Sequence, residues 1–258
     1  MSITSFREKQ SYVTGFHPST LIKSLIAVPG FVSNWLKYQR LNTIPAFRIR
    51  LGDAFPILTD RYASAGLAEG HYFHQDLWAA RKIFQARPPT HMDIGSRIDG
   101  FIAHLLAFMP VTVLDIRPLV SRVDGLTYLQ DDATSLSMLK ANSVSSLSSL
   151  HAAEHFGLGR YADPVDPYAC FKFMDSLQRV LTPEGKLYFS VPVGRERVEF
   201  NAHRVFSPNT ILNTFSQLRL ESFSYVGDDG SLYLNTDPLA LPESEMACGL
   251  FEFTKATG

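Results

Sequence analysis

The stretch Thr90-His-Met-Asp93-Ile-Gly95-Ser96-Arg97-Ile-Asp99-Gly100 sets how the rest of the chain reads. A short apolar run, Thr90–Ile94, breaks at Gly95. Ile98, Phe101, Ile102, Leu105, Leu106 and Met109 then recur at helical spacing until Pro110. The order is strand, tight turn, helix. Glycine in such a turn admits positive φ and lets a ligand approach the backbone. The helix that follows presents unpaired N–H groups, and Asp93, at the strand's end, can receive an ammonium group. An ordinary tight connection also favours glycine, so the turn alone leaves both readings open.

The same alternation continues outward. Val111–Ile116 is a second buried strand closed by Pro118, and Leu126–Leu129 a third. Val144–Leu150 is a fourth, serine-rich for a strand. A helical stripe from Cys170 to Leu181 follows, stopped by Pro183 and Gly185, then a fifth strand, Leu187–Val193. Ser207–Pro208 reads as a helix start, and Leu218–Val226 and Cys248–Thr254 as closing strands. On the other side, Phe73, Leu77, Ala80, Ile83 and Phe84 share a helical face that ends at Pro88–Pro89. Strands alternating with helices predict a mostly parallel sheet covered on both faces, with ligands beyond the strands' carboxyl ends.

Residues just after each strand are therefore the candidates. Asp115, 22 positions beyond Asp93, can accept two hydrogen bonds from ribose hydroxyls. Asp132 can accept from an adenine amino group, with the Ala133 N–H beside it. For both, a plain solvated turn is the alternative. After the fourth strand come His151, Glu154 and His155, and after the fifth His203. Any of these can take a proton near neutral pH, or can shape and cap its loop. The insertion Gly157-Leu-Gly159-Arg160-Tyr161-Ala-Asp163 can close over an acceptor or be an ordinary connection.

Five pieces in this order resemble the class I S-adenosylmethionine-dependent methyltransferases, those grouped as methyltransferase type 11 above all. They are Asp93-Ile-Gly95, Leu114-Asp115-Ile116, Asp132-Ala133-Thr134, Ser149-Leu150-His151 to Glu154-His155, and Arg179-Val-Leu-Thr-Pro183-Glu-Gly185. The phrases His71-Tyr-Phe-His-Gln-Asp76 and Phe200-Asn-Ala-His203-Arg look like a less characterised bacterial branch. The resemblance implies a Rossmann-like α/β fold. Its mostly parallel sheet would have seven strands, the last antiparallel, with helices on both faces. The domain is expected over residues 71–258, and residues 1–70, around the apolar stretch Leu21–Leu36, read as a helical extension packing on it. The resemblance also implies S-adenosylmethionine as cofactor. Asp93, Gly95, Ser96 and Arg97 would hold its methionine part, Asp115 and Ile116 its ribose, and Asp132 and Ala133 its adenine. Arg97 stands where the family has a second glycine, so either the turn is looser or Arg97 reaches the cofactor carboxylate.

Composition sets limits. Apolar residues make up 45% of 258, the formal net charge is −1, and no whole-chain field argues for nucleic acid. Cys170 and Cys248 fit neither a metal spacing nor a disulfide framework, which suits a reducing, cytoplasmic setting. Residues 1–50 hold seven basic side chains against Glu8 alone, around the apolar stretch Leu21–Leu36. Lys23, Pro29 and Gly30 make that stretch a poor membrane span. A weak membrane-surface contact, or an anionic acceptor such as a glycan precursor, is the expectation it carries. Three competing readings remain. His151-Ala-Ala-Glu154-His155 has the H-x-x-E-H form of a zinc hydrolase, although no metal is expected in a nucleoside-binding pattern. A nicotinamide enzyme would want the full G-x-G-x-x-G that Arg97 breaks. A non-catalytic nucleoside-binding relative is allowed by the same altered turn.

Overall fold

A computed structural model of the chain describes residues 18–256. The chain divides into two compact units between Leu67 and Ala68. The first contains α1 (Pro18–Leu41) and three short 3-10 turns. Helix α1 has no acidic residue, carries Lys23, Lys37 and Arg40, and buries Ala27 while leaving Leu21, Ile22, Leu25, Ile26, Val32 and Leu36 exposed. Its end is tied to the next turn by Asn42, whose Nδ2 donates to the Phe47 carbonyl at 2.9 Å. No helix among the described residues is long and apolar enough to cross a membrane.

The second unit is built on one sheet. Its strands are β1 (His91–Ile94), β2 (Val111–Asp115), β3 (Leu126–Gln130), β4 (Val144–Leu150) and β5 (Leu181–Val193), followed by β8 (Leu218–Val226), β9 (Leu232–Tyr233) and β10 (Ala247–Lys255). Their spatial order is β3-β2-β1-β4-β5-β10-β8-β9. The first five run parallel, while β10 is antiparallel to both β5 and β8. The mostly parallel α/β sheet is thus present, with eight strands rather than the expected seven. The extra one is the two-residue edge strand β9, too short to leave a periodic signal. A separate hairpin, β6 (Arg197–Glu199) and β7 (His203–Val205), also escapes the sequence reading.

Helices cover both faces. α4 (Ala169–Val180) and α5 (Pro208–Thr214) pack Phe173, Met174, Leu177 and Ile211 against Leu147, Leu187, Phe189 and Phe251. On the other face lie α2 (His71–Ala86) and a wide helical turn, Ile98–Ile102, leading into α3 (Ala103–Leu106). They bring Trp78, Ile83, Phe101 and Leu105 onto Val111, Val113, Tyr188 and Leu250.

Two sequence oddities acquire physical reasons. Three of the four serines of β4 are buried hydrogen-bond partners of β1: Ser146 and Ser148 meet the two ring nitrogens of His91 at 2.8 and 2.9 Å, and Ser149 Oγ donates to the Ile94 carbonyl at 3.0 Å. Burial lowers the His91 pKa to about 3, so the ring is neutral and the pairing is between neutral groups. The Arg179-Val-Leu-Thr-Pro183-Glu-Gly185 run is a strand entry with a bulge. Leu181 pairs with Val144, the next pairing is Lys186 with Ser146, and Pro183, lacking an N–H, lies in the looped-out part. Arg179 donates to the carbonyls of Ser135, Leu136 and Leu139, fastening the helix end to the turn after β3.

Candidate active site

The tips of β1, β2 and β3 lie side by side at one sheet edge. Gly95 N donates to the Leu114 carbonyl at 3.0 Å, and Asp131 N to that of Asp115 at 3.1 Å. Gly95 has φ +75°, and a Cβ there would stand 2.9 Å from the Cβ of Ala152, beyond β4. The turn therefore needs glycine for its conformation and for its approach to the next loop. Arg97 has φ −70°, ordinary extended backbone, so no second glycine is required. Its guanidinium pairs with Asp99 at 3.2 Å and lies 4.8 Å above the Tyr72 ring of α2.

Asp93 is completely buried. One oxygen accepts from Ser148 Oγ (2.5 Å) and Ser96 Oγ (2.6 Å), the other from Ser96 N (3.0 Å). Ser96 Oγ in turn accepts from Leu150 N at 3.0 Å, so the carboxylate stitches the β1 turn to β4. Burial raises the Asp93 pKa to about 6 despite these bonds.

At the tip of β2, Asp115 is nearly buried and receives the backbone N–H of Arg117 at 2.8 Å. The Arg117 guanidinium also grips both carboxylate oxygens. That guanidinium lies 5.0 Å from the centroid of Tyr161, in the Gly157–Asp163 insertion. The insertion thus reaches across to the ribose candidate through a cation–π contact. Ile116 is half-buried, and its carbonyl accepts from Gln130 Nε2 at 3.1 Å. Asp132 is exposed and caps its own turn, accepting from Thr134 N (2.8 Å) and Thr134 Oγ1 (2.6 Å), while Ala133 is buried.

Beyond β4, His151 sits at φ +50°, a conformation a non-glycine residue holds only when its surroundings enforce it. Its Nδ1 is 2.7 Å from Glu154 Oε1, and both side chains are buried. The same oxygen is 3.7 Å from His155 Nε2. Burial opposes charge on His151, but Cys248 and Glu154 hold its pKa well above the usual range. Burial likewise pushes Glu154 up, and the neighbouring His151 and His155 bring it below its ordinary value. Burial lowers His155 and His203.

His155 Nδ1 lies 2.7 Å from the Ala202 carbonyl, and Arg204 reaches the Phe156 carbonyl at 2.6 Å. These contacts clasp the β6–β7 hairpin to the loop after β4. His203 stands on that hairpin, 3.7 Å from Glu199. The H-x-x-E-H segment is a bend and a single 3-10 turn, Ala153–His155, and His155 is bound to a backbone carbonyl. The paired histidines on one helical face that a zinc hydrolase requires are therefore not formed.

Sequence reasoning missed the residues of α2 that line this edge. His71 stacks on His151 with centroids 5.4 Å apart, and Gln75 Oε1 accepts from Ser190 Oγ at 2.7 Å. The His71–Asp76 phrase was their signal, used only as a mark of resemblance. Arg117 and Cys248 left no local signal.

Comparison with known proteins places the fold. No curated protein shows significant sequence similarity to the chain. Residues 131–226 match the family described as "Caenorhabditis protein of unknown function, DUF268", rather than methyltransferase type 11. Among solved structures, one similar chain is the 1,6-didemethyltoxoflavin-N1-methyltransferase of Burkholderia thailandensis, solved with 1,6-didemethyltoxoflavin and S-adenosylhomocysteine. The TM-score is 0.51 at 14% identity, over 71% of this chain and 79% of that one. The N-methyltransferase NodS of Bradyrhizobium japonicum WM9, bound to S-adenosyl-L-homocysteine, gives 0.50 at 12% identity, over 73% and 89%. The chain has the fold of the S-adenosylmethionine-dependent methyltransferases. The cyclase SpnF shares it too, with TM-score 0.51 at 12% identity over 75% and 89%, so the fold alone does not fix the activity.

Proposed function

We propose that the chain is an S-adenosylmethionine-dependent methyltransferase. The observation that carries this is the convergence of the β1 glycine turn, Asp115 and the Asp132–Ala133 turn at one sheet edge, on adjacent parallel strands in the order β3-β2-β1. The tight Gly95 turn suits close approach of a ligand to the backbone. The backbone of Gly95 and Ser96 would hold the methionine part, Asp93 shaping the turn from behind. Asp115 and Ile116 would hold the ribose once Arg117 yields, and Asp132 with Ala133 the adenine. Arg97, at the turn, would reach the cofactor carboxylate by leaving Asp99.

When bound, the cofactor supplies an electrophilic methyl group. The protein's own task is to align the acceptor, exclude water and, for a hydroxyl acceptor, take its proton. His203 is the best base of the four candidates, because burial keeps it neutral and its Nε2 has no hydrogen-bond partner among the described residues. His151 and Glu154 would orient the acceptor, and His155 supports the loop. Arg160 beside Tyr161 suits an anionic acceptor, a small molecule or glycan precursor. A cytoplasmic location belongs to the same reading.

One observation favours a second reading, a non-catalytic relative: Arg117 already fills the ribose-binding carboxylate. Titration of the purified chain with S-adenosylhomocysteine tests both. Saturable one-to-one binding supports the cofactor site, and turnover of S-adenosylmethionine separates the enzyme from a relative that binds without catalysis. No heat or fluorescence change at millimolar ligand overturns the cofactor assignment.

A further inference from the structure

Three side chains from distant parts of the second unit meet where the mechanism above uses only one of them. His71 opens α2, His151 follows β4, and Cys248 lies near the start of β10. One ligand atom of each falls within 4.8 Å of the others. We propose that His71, His151 and Cys248 form a three-ligand site for a borderline-soft divalent cation, zinc being the physiological one, next to the acceptor end of the crevice.

The chemistry of the donors fits. Two imidazole nitrogens and one thiolate make the His2Cys kind of set that tetrahedral zinc takes. Zinc–nitrogen and zinc–sulfur bonds of about 2.0–2.3 Å put neighbouring ligand atoms roughly 3.3–3.8 Å apart. The most widely spaced donors therefore need to draw in by about 1–1.5 Å.

An independent observation points to a ligand at this place. His151 Nε2 is buried and has no hydrogen-bond partner among the described residues. Leaving a buried nitrogen unsatisfied is costly, and a metal would use it. The other nitrogen, Nδ1, is already held by Glu154 Oε1 at 2.7 Å. A carboxylate on the far nitrogen is the arrangement that orients metal-binding histidines and strengthens them as donors. It also explains why a carboxylate is buried at Glu154. Cys248 is fully buried, and its nearest hydrogen-bonding neighbour in another residue is Gln75 Oε1 at 3.7 Å. Its sulfur faces His151, whose charge it favours, and makes no other strong hydrogen bond.

Three protein ligands leave a fourth tetrahedral position, the pattern of catalytic rather than structural zinc. Water or a heteroatom of the bound substrate would fill it, and either would lose a proton more readily there. The sequence expectation of no metal is replaced at this point, and the residues differ from those of the H-x-x-E-H segment except for His151.

Metal binding can be read without any assumption about methyl transfer. The full chain, stripped with chelator, is titrated with Zn2+ against a chromophoric competitor, and with Co2+ as a spectroscopic probe. Expected are one tight equivalent of Zn2+ and a sulfur-to-cobalt charge-transfer band with tetrahedral visible absorption. Cys248→Ser should abolish the band and weaken Zn2+ at least a hundredfold, His71→Ala should do the same to Zn2+ affinity, and Cys170→Ser should change neither. Glu154→Gln should weaken Zn2+ about 10–100-fold, the range for losing a histidine's orienting partner. A wild-type chain without the charge-transfer band overturns the site, whatever the variants do. So does Zn2+ affinity unchanged in folded Cys248→Ser. S-adenosylhomocysteine titration of the same samples keeps the questions apart: the metal site can fail while that ligand binds, and the reverse.

Discussion

Asp93 and Asp115 are both acids at strand ends, and their surroundings give them different work. Asp93 is enclosed by Ser96 and Ser148, and burial holds its pKa at about 6, above the 3.8 of a free side chain. An acid whose pKa is raised on folding binds its proton more tightly in the folded state. Its contribution to stability is complete below about pH 4 and is lost as pH rises through 6. The size is roughly 3 kcal/mol, at about 1.4 kcal/mol per pKa unit. Chemical denaturation at pH 4 and pH 6.5 should show this loss, and Asp93→Asn should flatten it; an equally steep variant would remove Asp93 as its source. For Asp115, the expected result of Asp115→Ala is S-adenosylhomocysteine binding weakened by about 1–3 kcal/mol, the scale for losing a charged hydrogen-bond partner. Calorimetry showing unchanged affinity would detach Asp115 from the ribose.

The Gly157–Asp163 insertion and the β6–β7 hairpin both pack onto the strand ends that carry the candidate residues. The insertion is ordered by its own Asp163, which accepts from the N–H groups of Gly157 (2.7 Å) and Tyr161 (3.1 Å). Tyr161 then meets Arg117, the residue that occupies Asp115. A cation–π contact of this exposed kind is worth about 0.5–1 kcal/mol. Tyr161→Ala should therefore release Arg117 and tighten S-adenosylhomocysteine binding about two- to fivefold, with faster association by stopped flow. Weaker binding would mean that Tyr161 touches the ligand itself. The insertion was partly legible. The glycines of the insertion marked it as a loop able to move, but its target, Arg117, reads in the sequence as one more surface arginine after a strand.

For the whole chain, the uneven charge becomes a physical feature in α1. Lys23, Lys37 and Arg40 share with exposed Leu21, Leu25, Val32 and Leu36 a helix without acids. Such a surface suits an anionic lipid interface, each basic residue contributing about 1 kcal/mol near it. The full chain should sediment with phosphatidylserine-containing vesicles at low salt and be released as salt screens the charge. Lys23→Glu with Lys37→Glu should remove most of this binding. Equal sedimentation with zwitterionic vesicles would show that charge plays no part.

What could be read along the chain was whatever repeats or punctuates locally. The periodic apolar residues, the prolines at 88, 89 and 110, and the glycine at 95 were enough to place the strands and helices and to put Asp93, Asp115 and Asp132 after successive strands. The two-residue strand β9 and the short hairpin had too few residues to show a period. Spatial neighbours far apart in sequence could not be read at all. That Ser148 serves both His91 and Asp93, that Arg117 covers Asp115, and that His71 and Cys248 come to His151 follow from the order in which the strands assemble. Backbone pairing and core packing choose that order, and no single segment of the sequence carries it.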